Sequence, residues 1–170
     1  METLNTVLSI VIAMLIAGFA AYLMWAQKKF TQLQSENVRS GEGLKLKIAA
    51  YERLTLFAER SKLPNLVTRL FDSNLSAREM QHVMLNSIRE EYEHNVTQQL
   101  FVKPELWDAI SKMKDQNSYI INQLAAMEPM EATALDLNKK ILEYNLSNPN
   151  GTMNALVLNA LQFEMKALLQ

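Results

Sequence analysis

Residues 88–95 read IREEYEHN, and within them Glu91 and His94 stand three positions apart. That E-x-x-H spacing puts a carboxylate and an imidazole one turn apart on a helix, as in the di-metal centres of helical bundles. A divalent ion held there would activate a bound water or polarise a substrate oxygen. A second copy, Glu79-x-x-His82, lies upstream. A di-metal centre draws the motif from two different helices and a further glutamate from each of two more. Here both copies fall on one predicted helix, roughly 18 Å apart along its axis, and they use the only two histidines in the chain. The chain has no cysteine, so thiolate ligands, thiol nucleophiles and disulfides are excluded. No nucleophile elbow or glycine-rich phosphate loop accompanies the serines and aspartates. A metal-dependent bundle enzyme using Glu91 and His94 is therefore the lesser expectation. No catalytic residue and no cofactor is expected.

The preferred reading of the same residues is structural. On a helical wheel with Met80 at zero, Met84, Ile88 and Tyr92 advance by about 40° per step along an apolar stripe. Glu91 falls at about 20° and Asn95 at about 60°, both inside the stripe, with His94 at its edge. Arg89, Glu90 and Glu93 point away from it. On the preceding predicted helix, Arg53 shares the face of Ala50 and Phe57, and Arg60 lies close by. A buried carboxylate requires a partner. The expected arrangement is thus a polar network of Arg53, Glu91, Asn95 and Glu164, with Arg53 paired to Glu91. Glu164, inward on the last helix, is the alternative acid for Arg53 or Arg60.

The elements that would position these residues are all helical. Four glycines, four prolines and scarce β-branched runs outside the N-terminus give an all-α composition. The periodicity predicts helices over 46–62, 64–71, 77–99, from Pro104, from Pro129, and over 152–169, with a turn at SNPNG, 147–151. Ser76-Ala77-Arg78-Glu79 is a capping box that starts the third of these. Pro104 and Pro129 are each expected at the first turn of a helix, where a missing N–H is harmless. The nearly all-apolar last helix is expected in the interior. The fold expectation is a bundle of five or six helices over residues 46–170 behind a polar linker, 30–45. SGEG, 40–43, would break the helix there into a hinge.

Ahead of the linker, residues 6–25 read TVLSIVIAMLIAGFAAYLMW. Twenty mostly apolar residues match the roughly 30 Å hydrocarbon core of a bilayer. Tyr22 and Trp25 sit where aromatic rings favour the interface. METLN lacks the basic start of a cleaved leader. Residues 1–29 are thus read as an N-terminal transmembrane anchor in contact with lipid. Lys28, Lys29, Arg39, Lys45 and Lys47 follow the span and no Lys or Arg precedes it. The asymmetry predicts an outside N-terminus and a cytoplasmic bundle at the inner membrane. Lys+Arg number 17 and Asp+Glu 18, so no basic field for nucleic acid is present.

AYERLTLFAER (50–60) and REMQHVMLNSIREEYEHNVTQQLFVKPELW (78–107) resemble an uncharacterised family of small single-pass membrane proteins of Bacteroidota. The resemblance implies a domain of unknown function at the inner membrane and assigns no role to Arg53, Glu91 or His94. The functional expectation is a membrane-anchored helical adaptor or scaffold, binding another protein or a second copy of itself. An accessory stalk-like subunit is the further alternative, which SGEG and the later prolines disfavour.

Overall fold

A computed structural model of the chain describes the backbone of residues 2–148 and 153–169, and the side chains of 18, 19, 22–29, 41–148 and 153–169. Among these residues the structure is all-helical: α1 Glu2–Arg60, α2 Leu63–Leu70, α3 Ala77–Asn95, a 3-10 segment Val96–Leu100, α4 Pro104–Ala126, α5 Ala134–Ser147 and α6 Met153–Leu168. The chain divides into two units, Met1–Lys45 and Leu46–Gln170.

The expected hinge is corrected by α1, which stays helical through Ser40–Gly43. Gly41 and Gly43 take no positive φ, and no proline falls inside the element. Glycine in a helix costs about 1 kcal/mol relative to alanine, too little to stop a helix flanked by Glu, Lys and Leu. In the first unit Phe19, Tyr22, Leu23, Met24 and Trp25 are exposed. The Tyr22 and Trp25 rings lie 6.3 Å apart, and Lys29 Nζ sits 5.1 Å from the Trp25 ring centre. Among the described residues no helix is long and apolar enough to cross a membrane. Most of the span expected at 6–25, including all of 6–17, lies outside the described side chains.

In the second unit two apolar clusters share α3 and α4. One gathers Leu63, Leu66 and Val67 of α2, Met80, Met84 and Ile88 of α3, Ile121 and Leu124 of α4, and Leu137 and Ile141 of α5. The other joins Tyr51, Leu54 and Phe57 of α1 to Leu106, Ile110 and Met113 of α4 and to Val157 and Leu161 of α6, with Tyr92 against it. Burial runs along most of α4, from Leu106 to Ala125, so α4 is the central helix. The last helix is not, contrary to expectation: α6 buries only Asn154, Val157 and Leu161, while Leu156 and Phe163 are exposed. Its apolar girth is wider than the single face its neighbours cover.

Helix starts explain the packing of α3 against α5. The Ser76–Glu79 capping box forms as read, and Thr133–Asp136 makes a second at the start of α5. Pro129 therefore does not open that helix; its carbonyl accepts from Ala132 N in a preceding turn. The two caps pair by backbone: Ala77 N donates to Ala132 O at 2.8 Å and Ala134 N to Leu75 O at 2.9 Å. The residue ahead of each cap thus supplies an acceptor for one of the other helix's orphan first-turn amides. Backbone and hydroxyl bonds from Ser76 hold Glu79, and bonds from the Thr133 hydroxyl and amide hold Asp136, below the usual carboxylate range.

The α-helical part of the third predicted helix stops at Asn95. Its φ of −105° and ψ of 1° leave the helical region, and its Nδ2 donates to Glu91 O at 2.8 Å. The chain tightens into the 3-10 segment rather than continuing to residue 99. Of the turn expected at 147–151, residues 149–151 lie outside the described residues.

Candidate functional site

The network expected around Arg53 and Glu91 is divided differently. Arg53 is exposed; its Nε donates to Asn95 Oδ1 at 3.3 Å and its Nη2 to His94 O at 3.2 Å. It caps the C-terminal end of α3, where a cation is favoured by the helix dipole. Arg60 takes Glu91 instead, with Nε 2.6 Å from Oε1, although no acceptor lies in line with that N–H. The pair is 40% and 24% exposed, a surface contact rather than a buried salt bridge. Asn95 is buried as expected from the wheel, and His94 is exposed.

Glu91, His94 and Glu90 line a shallow recess with Arg60, Arg69 and Ser87. Arg69 Nη2 donates to Ser87 Oγ at 3.0 Å. Burial, and then the neighbouring Arg60 charge, lower its guanidinium pKa, against the pull of Glu91. The arginines face the acids that would serve as ligands, and Glu79 is committed to its capping box. Among the described residues no three His, Asp or Glu gather where one metal ion could be held.

A fully buried polar centre lies elsewhere, at the C-terminus of α1. Asn117 Nδ2 of α4 donates to Ser61 O at 2.8 Å and to Asn154 Oδ1 at 3.1 Å. Asn154 Nδ2 of α6 donates to Ala58 O at 2.9 Å. At the exposed edge of this centre, Asn65 of α2 adds a bond to Glu59 O at 2.7 Å. Carbonyls at a helix end have no partner within their own helix, and here three side-chain amides from three other helices serve three of them. Asn117 and Asn154 were absent from the expected polar network. Both lie among apolar stripe residues, which is the only local sign that they are inward.

Recesses open on both sides of α6. On one side a groove of about 670 Å³ is bounded by Glu52, Leu56, Glu59, Leu161, Met165 and Lys166. On the other a cleft of about 430 Å³ lies between α1, α6 and the loop entering α4. Leu100, Phe101, Val102 and Phe163 supply its apolar lining, and Lys47, Tyr51, Lys103 and Glu164 its polar groups. Glu164 therefore pairs with neither Arg53 nor Arg60. Its Oε2 accepts from Tyr51 Oη at 2.7 Å, and its Oε1 lies 3.6 Å from Lys103 Nζ. Burial, and then the Glu164 carboxylate, push the Tyr51 phenol well above its ordinary pKa. The cleft combines a concave apolar lining, a few converging polar groups and a perturbed titrating group, the features that mark ligand sites. Lys47, Tyr51 and Lys103 were absent from the sequence expectation, because Glu164 alone among them looked inward from its own helix.

The second unit is thus a helical bundle with paired helix caps and an amphipathic cleft beside α6. The chain belongs to a family of unknown function, DUF7935, which it matches over residues 2–168. No curated protein and no solved structure matches it.

Proposed function

We propose that this protein is a single-pass helical adaptor of the inner membrane, held by residues 6–25, with its bundle in the cytoplasm as a docking domain for another protein. The observation that carries the docking role is the pair of recesses flanking α6, where Leu56, Leu100 and Phe163 stand exposed beside Tyr51 and Glu164. Isolated exposed apolar residues are ordinary, but their clustering around concave surfaces marks binding sites. The anchor rests on the length of the apolar run and on the lysines after it. The exposed Tyr22 and Trp25, with Lys29 against the indole, suit an interfacial belt. The resemblance to membrane-anchored proteins of Bacteroidota agrees with that placement.

The test is site-specific photo-crosslinking in the native membrane. A photoreactive residue at Leu56 or Phe163 should give a discrete adduct, and one at Leu135, exposed on α5, should not. Equal labelling at all three positions, or none at any, refutes the docking role. A reporter fused after Gln170 should be active only in the cytoplasmic form, and export-dependent activity there would overturn the orientation.

A further inference from the structure

We propose that the cleft between α1, α6 and the loop before α4 binds the free C-terminus of a partner polypeptide that ends in an apolar residue. The assignment rests on the adaptor reading and names what the partner presents. Three features of the cleft select the ligand. Its lining of Leu100, Phe101, Val102 and Phe163 offers apolar contact, with Leu100 and Phe163 still 78% and 74% exposed. Lys47 and Lys103 bring two positive charges to its polar side. Lys103 is 67% exposed and 3.6 Å from Glu164, beyond hydrogen-bond length, so its ammonium is free to turn to an incoming anion.

Glu164 distinguishes a peptide from other anions with an apolar body. Its side chain is only 15% exposed, and Tyr51 Oη donates to Oε2. Among the described residues Oε1 meets Lys103 Nζ at 3.6 Å and no donor nearer, which leaves it able to accept a backbone N–H. A peptide end supplies all three complements: a carboxylate for the lysines, a terminal apolar side chain for the lining, and an amide N–H for Oε1. A fatty carboxylate supplies no N–H, and its tail would call for a longer enclosed channel. The cleft, at about 430 Å³, lies toward the small end of ligand pockets, typically ~300–1,000 Å³, and suits one or two residues.

Fluorescence anisotropy of the full chain in detergent, with a labelled Gly-Ser-Gly-Ser-Val-Phe peptide, tests the assignment. The free-acid peptide should bind, and its C-terminal amide at least ten-fold more weakly. Lys47→Glu with Lys103→Glu should abolish the preference for the acid, while Lys103→Arg should keep it. Both lysines are exposed, and an unchanged unfolding midpoint would show that the double variant is folded. Equal binding of acid and amide, an unaffected double variant, or binding of decanoate without binding of the peptide each overturns the assignment. Adducts at Phe163, which lines the cleft, that persist unchanged in the double variant would also overturn it, while leaving the adaptor reading in place. Loss of those adducts in the unaltered chain would strike the adaptor reading itself.

Discussion

Asn117→Ala is the sharpest probe of what holds the second unit together. The substitution deletes the donor to Ser61 O and to Asn154 Oδ1, at 2.8 and 3.1 Å. Ser61 and Asn154 are both almost wholly buried, so water cannot readily replace the lost amide. An unsatisfied buried polar group costs about 1–3 kcal/mol, and two are left; some relaxation of Asn154 brings the expected loss to about 2–4 kcal/mol. For a domain of this size that corresponds to roughly 6–12 °C in the melting temperature. Asn154→Ala should cost a similar amount through Ala58 O. The double variant should lose less than the sum, because each single change already breaks the shared bond, with a coupling of about 0.5–1.5 kcal/mol. Urea unfolding followed by Trp107 fluorescence is the assay, in a Trp25→Phe background that leaves a single indole. Trp107 stacks on Tyr92 at 5.3 Å against the α1–α4–α6 cluster and so reports on the region being tested. Single variants that lose under about 0.5 kcal/mol, or that add without coupling, would refute the claim that these amides tie α1 to α4 and α6.

Arg53→Ala and Glu91→Ala should each lower stability by no more than about 1 kcal/mol in the same assay, because Arg53 is itself exposed and the Arg60 and Glu91 side chains are 40% and 24% exposed; a loss of several kcal/mol would mean a buried pair. Glu79 and Asp136 have folded pKa values below their unfolded ones, so the unfolded state binds more protons and their stabilisation, present at neutral pH, fades as pH falls through the folded values. Glu79→Gln with Asp136→Asn should therefore flatten the acid limb of the stability profile, and an unchanged limb would refute the assignment. For Tyr51 the sign is reversed: the folded pKa lies above the unfolded value of about 10, so its contribution is intact below about pH 10 and is lost as pH rises beyond it. Tyr51→Phe should lose less stability than the unaltered chain across that alkaline range, measured by unfolding midpoints. Ser76→Ala, by removing an α3 cap, should cost about 1 kcal/mol and speed exchange of the Glu79 amide.

The local grammar of the bundle was legible in the sequence. The Ser76–Glu79 box could be read because all its partners lie within four residues, and the i, i+4 row Met80–Met84–Ile88 did become core. Thr133–Asp136 carries the same signal, but Pro129 drew the predicted start ahead of Ala134, where α5 begins, and only the backbone pairing with Leu75 shows why the chain waits. The break at SGEG failed for a different reason: glycine lowers helix stability without forbidding the conformation.

What the sequence could not decide was partnership between helices. Periodicity placed Arg53 and Arg60 on neighbouring parts of one face, and Glu91 and Asn95 on another, without an axial offset between them. The structure pairs Arg53 with Asn95 and Arg60 with Glu91, a register consistent with antiparallel α1 and α3. Asn117 and Asn154 belong to helices with no local reason to meet, and Lys47 and Lys103 come to one cleft from α1 and from the residue before α4. A helix wheel fixes angle around an axis from neighbours a few residues away. The height at which two axes cross is set by the packing of whole apolar faces and by where α1 ends, so the polar groups that meet there are a product of the tertiary fold.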